Sequence, residues 1–359
     1  MTTDAVGGVW QYTLDLARQL SRNDVEICLA VLGPQASAAQ RADAGAIAGL
    51  ELIETGETLD WLADDPAAVA RAGYCLAALA ADRDVQLLHL NSPGLAAETD
   101  FPVPVLAVAH SCLGTWWEAV RAEALPADFA WRDALHGRGL ARAAITVTPS
   151  ASFAAATARR HRLARPPLTV HNGRSPLPLG TGPMHDFAWT AGRLWDAGKN
   201  VATLDRAAAQ LHFPFKAAGK CEGENGEAAR FKHLSLLGQL DEIALGQLLG
   251  ARPVFASASL YEPFGLAVLE AAAAGCPLVL SDIATFRELW DGVAIFVPPR
   301  DDHGFAEAIG TLVGDSSRRV AAGDAARERA ARFTVAAMGN AMLEHYRELL
   351  GQRGARAAA

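Results

Sequence analysis

The sequence predicts an α/β protein of two doubly wound domains facing across a cleft. Apolar runs of strand length alternate with helix-like stretches, and the alternation restarts after a Pro- and Gly-rich segment at 165–183. A length of 359 residues suits two domains at ~100–200 residues each. In the first series, residues 7–20 open on a Gly turn and carry Val9, Tyr12, Leu16 and Leu20 at helical spacing. Strands are expected at 25–32, 50–53, 85–90, 103–109 and 145–147, with helices at 66–81 and 127–141. The second series places strands at 187–191, 215–218, 234–237, 254–256, 277–280 and 294–297. Helices fit 200–211, 241–249, 265–274, 304–313 and 316–331, and a last helix fits 335–350. The expected division is 1–172, 173–334 and a terminal helix at 335–359.

A Rossmann-like domain normally opens with a strand of ~5–6 residues before its Gly turn. Only Met1, Thr2 and Thr3 precede Asp4, so the first strand is expected to be missing or truncated, with translation starting upstream.

Bulk composition narrows the function classes. The net charge of −8 argues against nucleic-acid binding, which calls for a basic face. Five isolated cysteines with no Cys-x-x-Cys pair suit a reducing cytosol rather than a disulfide framework. No charged and apolar leader opens the chain, and no apolar run reaches the ~18–20 residues of a membrane span, so a cytoplasmic protein is expected.

The chemistry is concentrated in the stretch from Ser259 to Leu289. Glu262 and Glu270 stand eight positions apart, and Pro263-Phe264-Gly265 follows the first. A loop leading into a helix near Gly265 offers unpaired backbone N–H groups and a positive dipole end, an anion site. Carboxylates before and within that helix can accept hydrogen bonds from sugar hydroxyls, at ~1.5–3 kcal/mol each. In Thr190–Asn200, Arg193 stands at the carboxyl end of a strand and Lys199 near the start of a helix. Two such cations can clamp a diphosphate.

The Glu-x7-Glu pattern, with EPFGL and the Gly275-Cys276-Pro277 turn in register, resembles the retaining GT-B-fold glycosyltransferases of the family-four type (glycosyl transferases group 1). The resemblance implies that Glu262 holds hydroxyls of a donor sugar and Glu270 the ribose hydroxyls of its nucleotide. The backbone at Phe264, Gly265 and Leu266 would meet the diphosphate and sugar. Arg193 and Lys199 resemble the family's Gly-Arg…Lys element on the donor pyrophosphate, although family members read Lys-Gly where this chain reads Gly198-Lys199. The resemblance also places Gly7 and Gly8 near the donor phosphates, His110 beside the donor sugar and Leu240 against the nucleobase. The Asn172-Gly173 pair reads as a hinge turn, and the last helix braces the first domain. A lone His after an apolar strand is more often structural; its place in the motif order favours function at His110. Trp116 and Trp117 fit an acceptor groove and a core position equally.

The implied reaction is transfer of a sugar from a nucleotide-diphosphate sugar to an acceptor, with the anomeric configuration retained. The acceptor class, whether glycan, lipid or small molecule, is not legible, and no patch demands a membrane surface. No cofactor or metal is called for, because cations and a helix dipole stand at the phosphates. The Asp-x-Asp at 82–84 precedes a strand instead of following one, a chance match. The rivals are a non-catalytic sugar-nucleotide-binding partner subunit and another GT-B enzyme such as a sugar-nucleotide epimerase. A nicotinamide dehydrogenase would need Gly-x-Gly-x-x-Gly after its first strand. The near match at Gly137-Arg138-Gly139 precedes a strand.

Overall fold

The computed structural model of the chain describes residues 1–223 and 226–357. Two compact units divide it, one of Met1–Gly173 with the segment from Val335 onward, the other of Arg174–Thr334.

The first unit runs β1 (Thr2–Asp4), α1 (Gly8–Ser21), β2 (Ile27–Leu32), α2 (Ala38–Gly45), β3 (Leu50–Glu54), α3 (Pro66–Asp82), β4 (Leu88–Leu90), β5 (Val105–Val108), α4 (Leu113–Val120), α5 (Ala127–Arg142), β6 (Ile145–Thr148), α6 (Ala151–His161) and β7 (Leu168–Thr169). All its strand pairs are parallel, in the orders β1-β2-β3 and β4-β5-β6-β7. Of the two expectations for the first strand, missing or truncated, the first is corrected: β1 is present at three residues, with Thr2 opposite Ala30 and Asp4 opposite Leu32. It is only short. On its other edge a side chain replaces a strand ladder, since the backbone N–H of Asn91 donates to Thr2 Oγ1 (2.9 Å) and Asn91 Nδ2 donates to the Thr2 carbonyl (2.7 Å). The two sheets therefore meet at β1 and β4.

Both faces of β2 and β5 are buried, which is why they read as continuous apolar runs and not as alternations. Leu29 and Val31 of β2 face one core with Leu16 and Leu20 of α1, while Ala30 and Leu32 face the other with Val69 and Leu76 of α3.

The second unit runs β8 (Ala188–Ala191), α7 (Val201–Ala208), β9 (Phe215–Ala218), β10 (Ser235–Gly238), α8 (Glu242–Gly250), β11 (Val254–Ser257), α9 (Leu266–Ala273), β12 (Leu278–Ser281), α10 (Ala284–Trp290), β13 (Ala294–Val297), α11 (Asp302–Gly314) and α12 (Ser316–Ala330). Its parallel sheet has the order β10-β9-β8-β11-β12-β13. The last helix, α13 (Val335–Ala357), belongs to the first unit, where Met338, Met342, Tyr346 and Leu349 join the core that holds α1.

Several expectations shift. The segment at 165–183, expected as a linker, contains β7 and then packs on α8, with Gly180 N–H donating to the Gly246 carbonyl (3.1 Å). The strand at 85–90 contracts to β4 because Asp84 turns at φ 46°. Helices α2, α4, α6 and α10 were not expected; α2 is fixed by a reciprocal Ser37–Gln40 capping box more than by its own periodicity. No helix among the described residues is long and apolar enough to cross a membrane.

Glycine shapes the carboxyl edge of the second sheet. Gly219 follows β9 at φ +134°, and a Cβ there would stand 1.8 Å from the Gly192 carbonyl oxygen after β8. Gly219→Ala should therefore lose at least the ~1–3 kcal/mol of backbone strain, plus the clash. Gly310→Ala, inside α11 with nothing within 4 Å of the new Cβ, should gain ~0.4–1 kcal/mol. Urea denaturation midpoints of the two variants should move in opposite directions.

Candidate active site

In the second unit β8 and β11 are neighbours, while β9 lies beyond β8 and β12 beyond β11. Successive connections therefore leave these two strands in opposite directions, and such a reversal opens a crevice at the carboxyl ends of the strands. Both loops that carry the expected donor residues start there. After β8, Gly192 leads to a short 3-10 turn, Ala197–Lys199, capped by Asp196, which accepts from Gly198 N–H (2.8 Å). After β11, the loop runs through Ser259 to Glu262.

Backbone bonds join the two loops. The Gly198 carbonyl accepts from the N–H of Leu260 (2.8 Å) and of Tyr261 (3.3 Å). Asn200 Nδ2 donates to the carbonyls of Ala258 (3.0 Å) and Pro299 (2.7 Å). Ser281 Oγ donates to the Ser259 carbonyl (2.6 Å) from below. The outcome is an ion pair in which Lys199 Nζ donates to Glu262 Oε2, both side chains mostly buried. The pair lines a small cavity with Gly192, Ser257, Ser259 and Val268.

Gly265, at φ +94°, turns the chain into α9. A Cβ there would stand 3.3 Å from Glu262 Cγ and 3.1 Å from Val268 Cγ2, so glycine supplies both the left-handed turn and the room. No described side chain caps α9, which leaves its first N–H groups as an anion-binding end next to the Lys199–Glu262 pair. The Phe264 ring points down into the core, edge-on to Phe333 at 5.7 Å, so its backbone alone stands at the helix start. Glu270 lies just over one turn into α9, where Arg174 Nε donates to its Oε1 (2.7 Å) and Arg174 Nη2 donates to Glu242 (3.0 Å).

In the first unit the strand order reverses between β1 and β4. Past β1, Gly7 and Gly8 are exposed at the start of α1, again with no described side-chain cap. Gly7 is extended (φ −179°) and a Cβ there would meet nothing within 4 Å, so the local backbone does not require glycine at that position. Past β4 and β5 stand Asn91 and His110. The Thr2 carbonyl can only accept, so the Asn91 atom 2.7 Å from it must be the amide nitrogen. Asn91 Oδ1 then faces His110 Nε2 (2.8 Å) and His89 Nε2 (3.0 Å), and both rings must donate to it. His89 Nδ1 accepts from the Tyr346 hydroxyl (2.6 Å). Burial pushes both imidazoles down to about 3, so they are neutral, and His110 keeps Nδ1 as an acceptor. The Tyr12 ring meets His110 edge-on at 4.5 Å.

Two family models cover most of the chain. The one described as Glycosyltransferase Family 4 matches residues 6–176, and the one described as Glycosyl transferases group 1 matches residues 187–315. The chain belongs to the family-four GT-B glycosyltransferases. Among curated proteins, this GT-B family member is 39% identical over 95 residues to glycogen synthase of Mycobacterium tuberculosis, covering 26% of this chain and 23% of that one. It is 36% identical over 110 residues to D-inositol 3-phosphate glycosyltransferase of Corynebacterium jeikeium, covering 30% and 26%. The chain thus spans about a quarter of the length of these curated relatives. Among solved structures, sucrose-phosphate synthase from Thermosynechococcus elongatus has a TM-score of 0.80 at 19% identity, covering 98% of this chain and 96% of that one. HepE from Anabaena, solved in complex with UDP-glucose, has a TM-score of 0.72 at 17% identity, covering 97% and 100%. At these identities the structural likeness is one of fold.

Of the expected donor residues, the GT-B chain joins Lys199 to Glu262 and sets Gly265 and Leu266 beside them. Glu270 is joined to Arg174 instead. Arg193 is 59% exposed, donating to Asp196 (2.9 Å) with its guanidinium 5.6 Å from the centre of the Trp195 ring. Leu240 is half-buried and lines a groove with Phe187, Lys216, Leu237 and Leu248. Trp116 and Trp117 are half-buried, with Arg121 over both rings at 5.8 Å. Sequence reasoning missed Asn91, His89 and Arg174. A polar residue directly after each apolar strand was the available signal for Asn91.

Asn91→Leu would strand two imidazole N–H donors and the Thr2 carbonyl, at ~1–3 kcal/mol per unpaired buried group. A loss of about 3 kcal/mol or more is expected in urea denaturation. Tyr346→Phe, which removes one donor from His89, should cost about 1–2 kcal/mol. A larger loss for Tyr346→Phe would place the hub of the network away from Asn91.

Proposed function

We propose that the chain is a retaining glycosyltransferase that moves a sugar from a nucleotide-diphosphate sugar to an acceptor. The observation that carries this reading is the Lys199–Glu262 pair beside the uncapped start of α9, at the point where the second sheet reverses its strand order. A diphosphate seated there would replace Glu262 as the partner of Lys199 and take hydrogen bonds from the first N–H groups of α9. Glu262, released, would turn to the hydroxyls of the donor sugar. Glu270, oriented by Arg174, would accept from the ribose. Arg193 is exposed enough to swing from Asp196 onto the phosphates.

The transition state resembles an oxocarbenium ion with negative charge growing on the leaving diphosphate. Lys199 and the helix start would stabilise that charge, each such preorganised donor being worth ~10²–10³ in rate. No metal is required for this role. In the first unit, neutral His110 would offer Nδ1 as an acceptor to a hydroxyl. The solved complex of HepE with UDP-glucose makes UDP and its sugars the first donors to try.

The test separates binding from chemistry. Calorimetry with nucleoside diphosphates should show Lys199→Ala weakening affinity by about 10–100-fold, the ~1.5–3 kcal/mol of a charge-assisted bond. Glu262→Gln should bind the bare nucleoside diphosphate as tightly as the unaltered chain or more tightly, because it no longer competes for Lys199. The same variant should lose ~10²–10³ of transfer rate. NMR of the product formed from an α-linked donor should show an α-linkage. A β-product would overturn retention, and tight binding with no transfer to any acceptor would leave a non-catalytic partner subunit.

A further inference from the structure

The loop after β5 and helices α4, α5 and α6 bring four metal-ligating side chains together inside the first unit. Cys112 precedes α4 and is 2% exposed. Asp133 and His136 stand one turn apart on α5, and His161 ends α6. Cys112 Sγ lies 3.1 Å from His161 Nε2 and 3.9 Å from Asp133 Oδ1, and His161 Nε2 lies 3.8 Å from that same oxygen. The ligand atoms of Cys112, His136 and His161 all lie within 4.8 Å of one another.

Two further observations point to a ligand. His136 is 9% exposed, and its Nε2 is buried with no hydrogen-bond partner among the described residues. An unpaired buried imidazole nitrogen costs ~1–3 kcal/mol, which coordination through Nε2 would recover if the ring presents that nitrogen to the ion. The cluster also sits in a cradle of glycines. A Cβ at Gly137 would stand 2.6 Å from His161 Nδ1, and one at Gly114 would stand 2.2 Å from Asp133 Oδ1. Arg160 grips the other carboxylate oxygen, Asp133 Oδ2, through Nε (2.9 Å) and Nη2 (2.7 Å), which leaves Oδ1 turned to Cys112 and His161. Glu118 in turn holds Arg160 (2.7 Å). A ligand oxygen oriented by an outer partner is what metal sites require.

We propose that Cys112, Asp133, His136 and His161 form a structural site for one tetrahedral divalent ion of the zinc class. Bonds of ~2.3 Å to sulfur and ~2.0–2.1 Å to nitrogen or oxygen set ligand atoms about 3.3–3.6 Å apart in a tetrahedron. The separations among Cys112, Asp133 and His161 (3.1–3.9 Å) bracket that range, and His136 lies within 4.8 Å of Cys112 and His161, so a bound ion would draw His136 inward. Four protein donors leave no open position, the mark of a structural site, and the sulfur, nitrogen and oxygen mixture favours zinc over magnesium or calcium. Binding releases the Cys112 thiol proton to solvent; the thiolate donates its lone pair and nothing is oxidised or reduced. The ion would tie three helices together two positions past His110. The proposal rests on the first unit alone and stands or falls separately from the donor-site reading.

The untagged full chain, stripped with EDTA and dialysed, should take up one equivalent of Zn²⁺ in competition with a chromophoric chelator and should melt at a higher temperature with the metal. With Co²⁺ it should show a thiolate-to-cobalt charge-transfer band and tetrahedral d–d bands. Cys112→Ser should lose the charge-transfer band, and His136→Gln should lose the stoichiometric endpoint. The proposal is overturned if the unaltered chain takes no Zn²⁺ from the chelator or gives an octahedral Co²⁺ spectrum without the thiolate band. It is equally overturned if the folded variants bind as the unaltered chain does. The spectrum of the unaltered chain decides the matter even where a variant does not fold.

Discussion

The carbonyl of Gly198 fixes the distance between the two loops that leave β8 and β11. Accepting from both Leu260 and Tyr261, it makes the position of Lys199 relative to Glu262 a property of the backbone. An ion pair between two long, mobile side chains contributes ~0–1 kcal/mol at a surface, because ordering them costs entropy. Here both chains emerge from ordered turns and both heads are mostly buried, so the pair is held by its supports. A mostly buried pair of this kind is weak evidence of stability. Its better use is as a charge arrangement that a ligand can rearrange.

Each unit puts its polar machinery where its strand order reverses, and each does so with different materials. The second unit uses backbone: glycine turns, carbonyls and an open helix end. The first uses side chains, with Asn91 as the shared acceptor of His89 and His110 and as the missing ladder of β1. The difference follows from strand length. Four-residue strands in the second sheet pair by their own amides, whereas β1 has three residues and borrows an amide side chain on its open edge. That solution fixes the tautomer of His110 as a consequence, so the group that completes the sheet also sets which ring nitrogen is left as an acceptor.

Much of this was legible in the sequence, for identifiable reasons. The apolar runs of β5, β11 and β12 and the Glu-x7-Glu spacing are local patterns, and local patterns survive in a single sequence. Lys199 was singled out through its likeness to the Gly-Arg…Lys element, and it stands against Glu262. Arg174 was not, since its partners Glu242 and Glu270 are 68 and 96 positions away. Asn91 pairs with Thr2 across 89 positions, and β1 is shorter than any window that could display strand periodicity. The Cys112–His161 cluster was equally hidden: its members are spread over four elements' worth of chain, and only Asp133 and His136 share a helical turn. The exposed place of Arg193 could not have been read either, because the competing claim of Asp196 on its guanidinium exists only once the 3-10 turn has formed.

The pattern of charges around the second sheet explains how a chain of net charge −8 could still receive an anion. Three cations near the carboxyl edge have acidic partners: Lys199 has Glu262, Arg174 has Glu270 and Arg193 has Asp196. On the proposed reading, a phosphorylated ligand at Lys199 would exchange one anion for another there, so the cation would not be left unpaired, which is the costly event. The displaced carboxylate at Glu262 is the one group left to satisfy, and a polyhydroxylated sugar supplies O–H donors at that position. Bare phosphate offers acceptors only and would leave Glu262 without compensation. Long-range repulsion by the acidic surface is damped within a Debye length of ~8 Å at physiological salt, so this local exchange decides the outcome. On the proposed reading, the arrangement would favour ligands that carry negative charge and hydroxyl donors on one molecule.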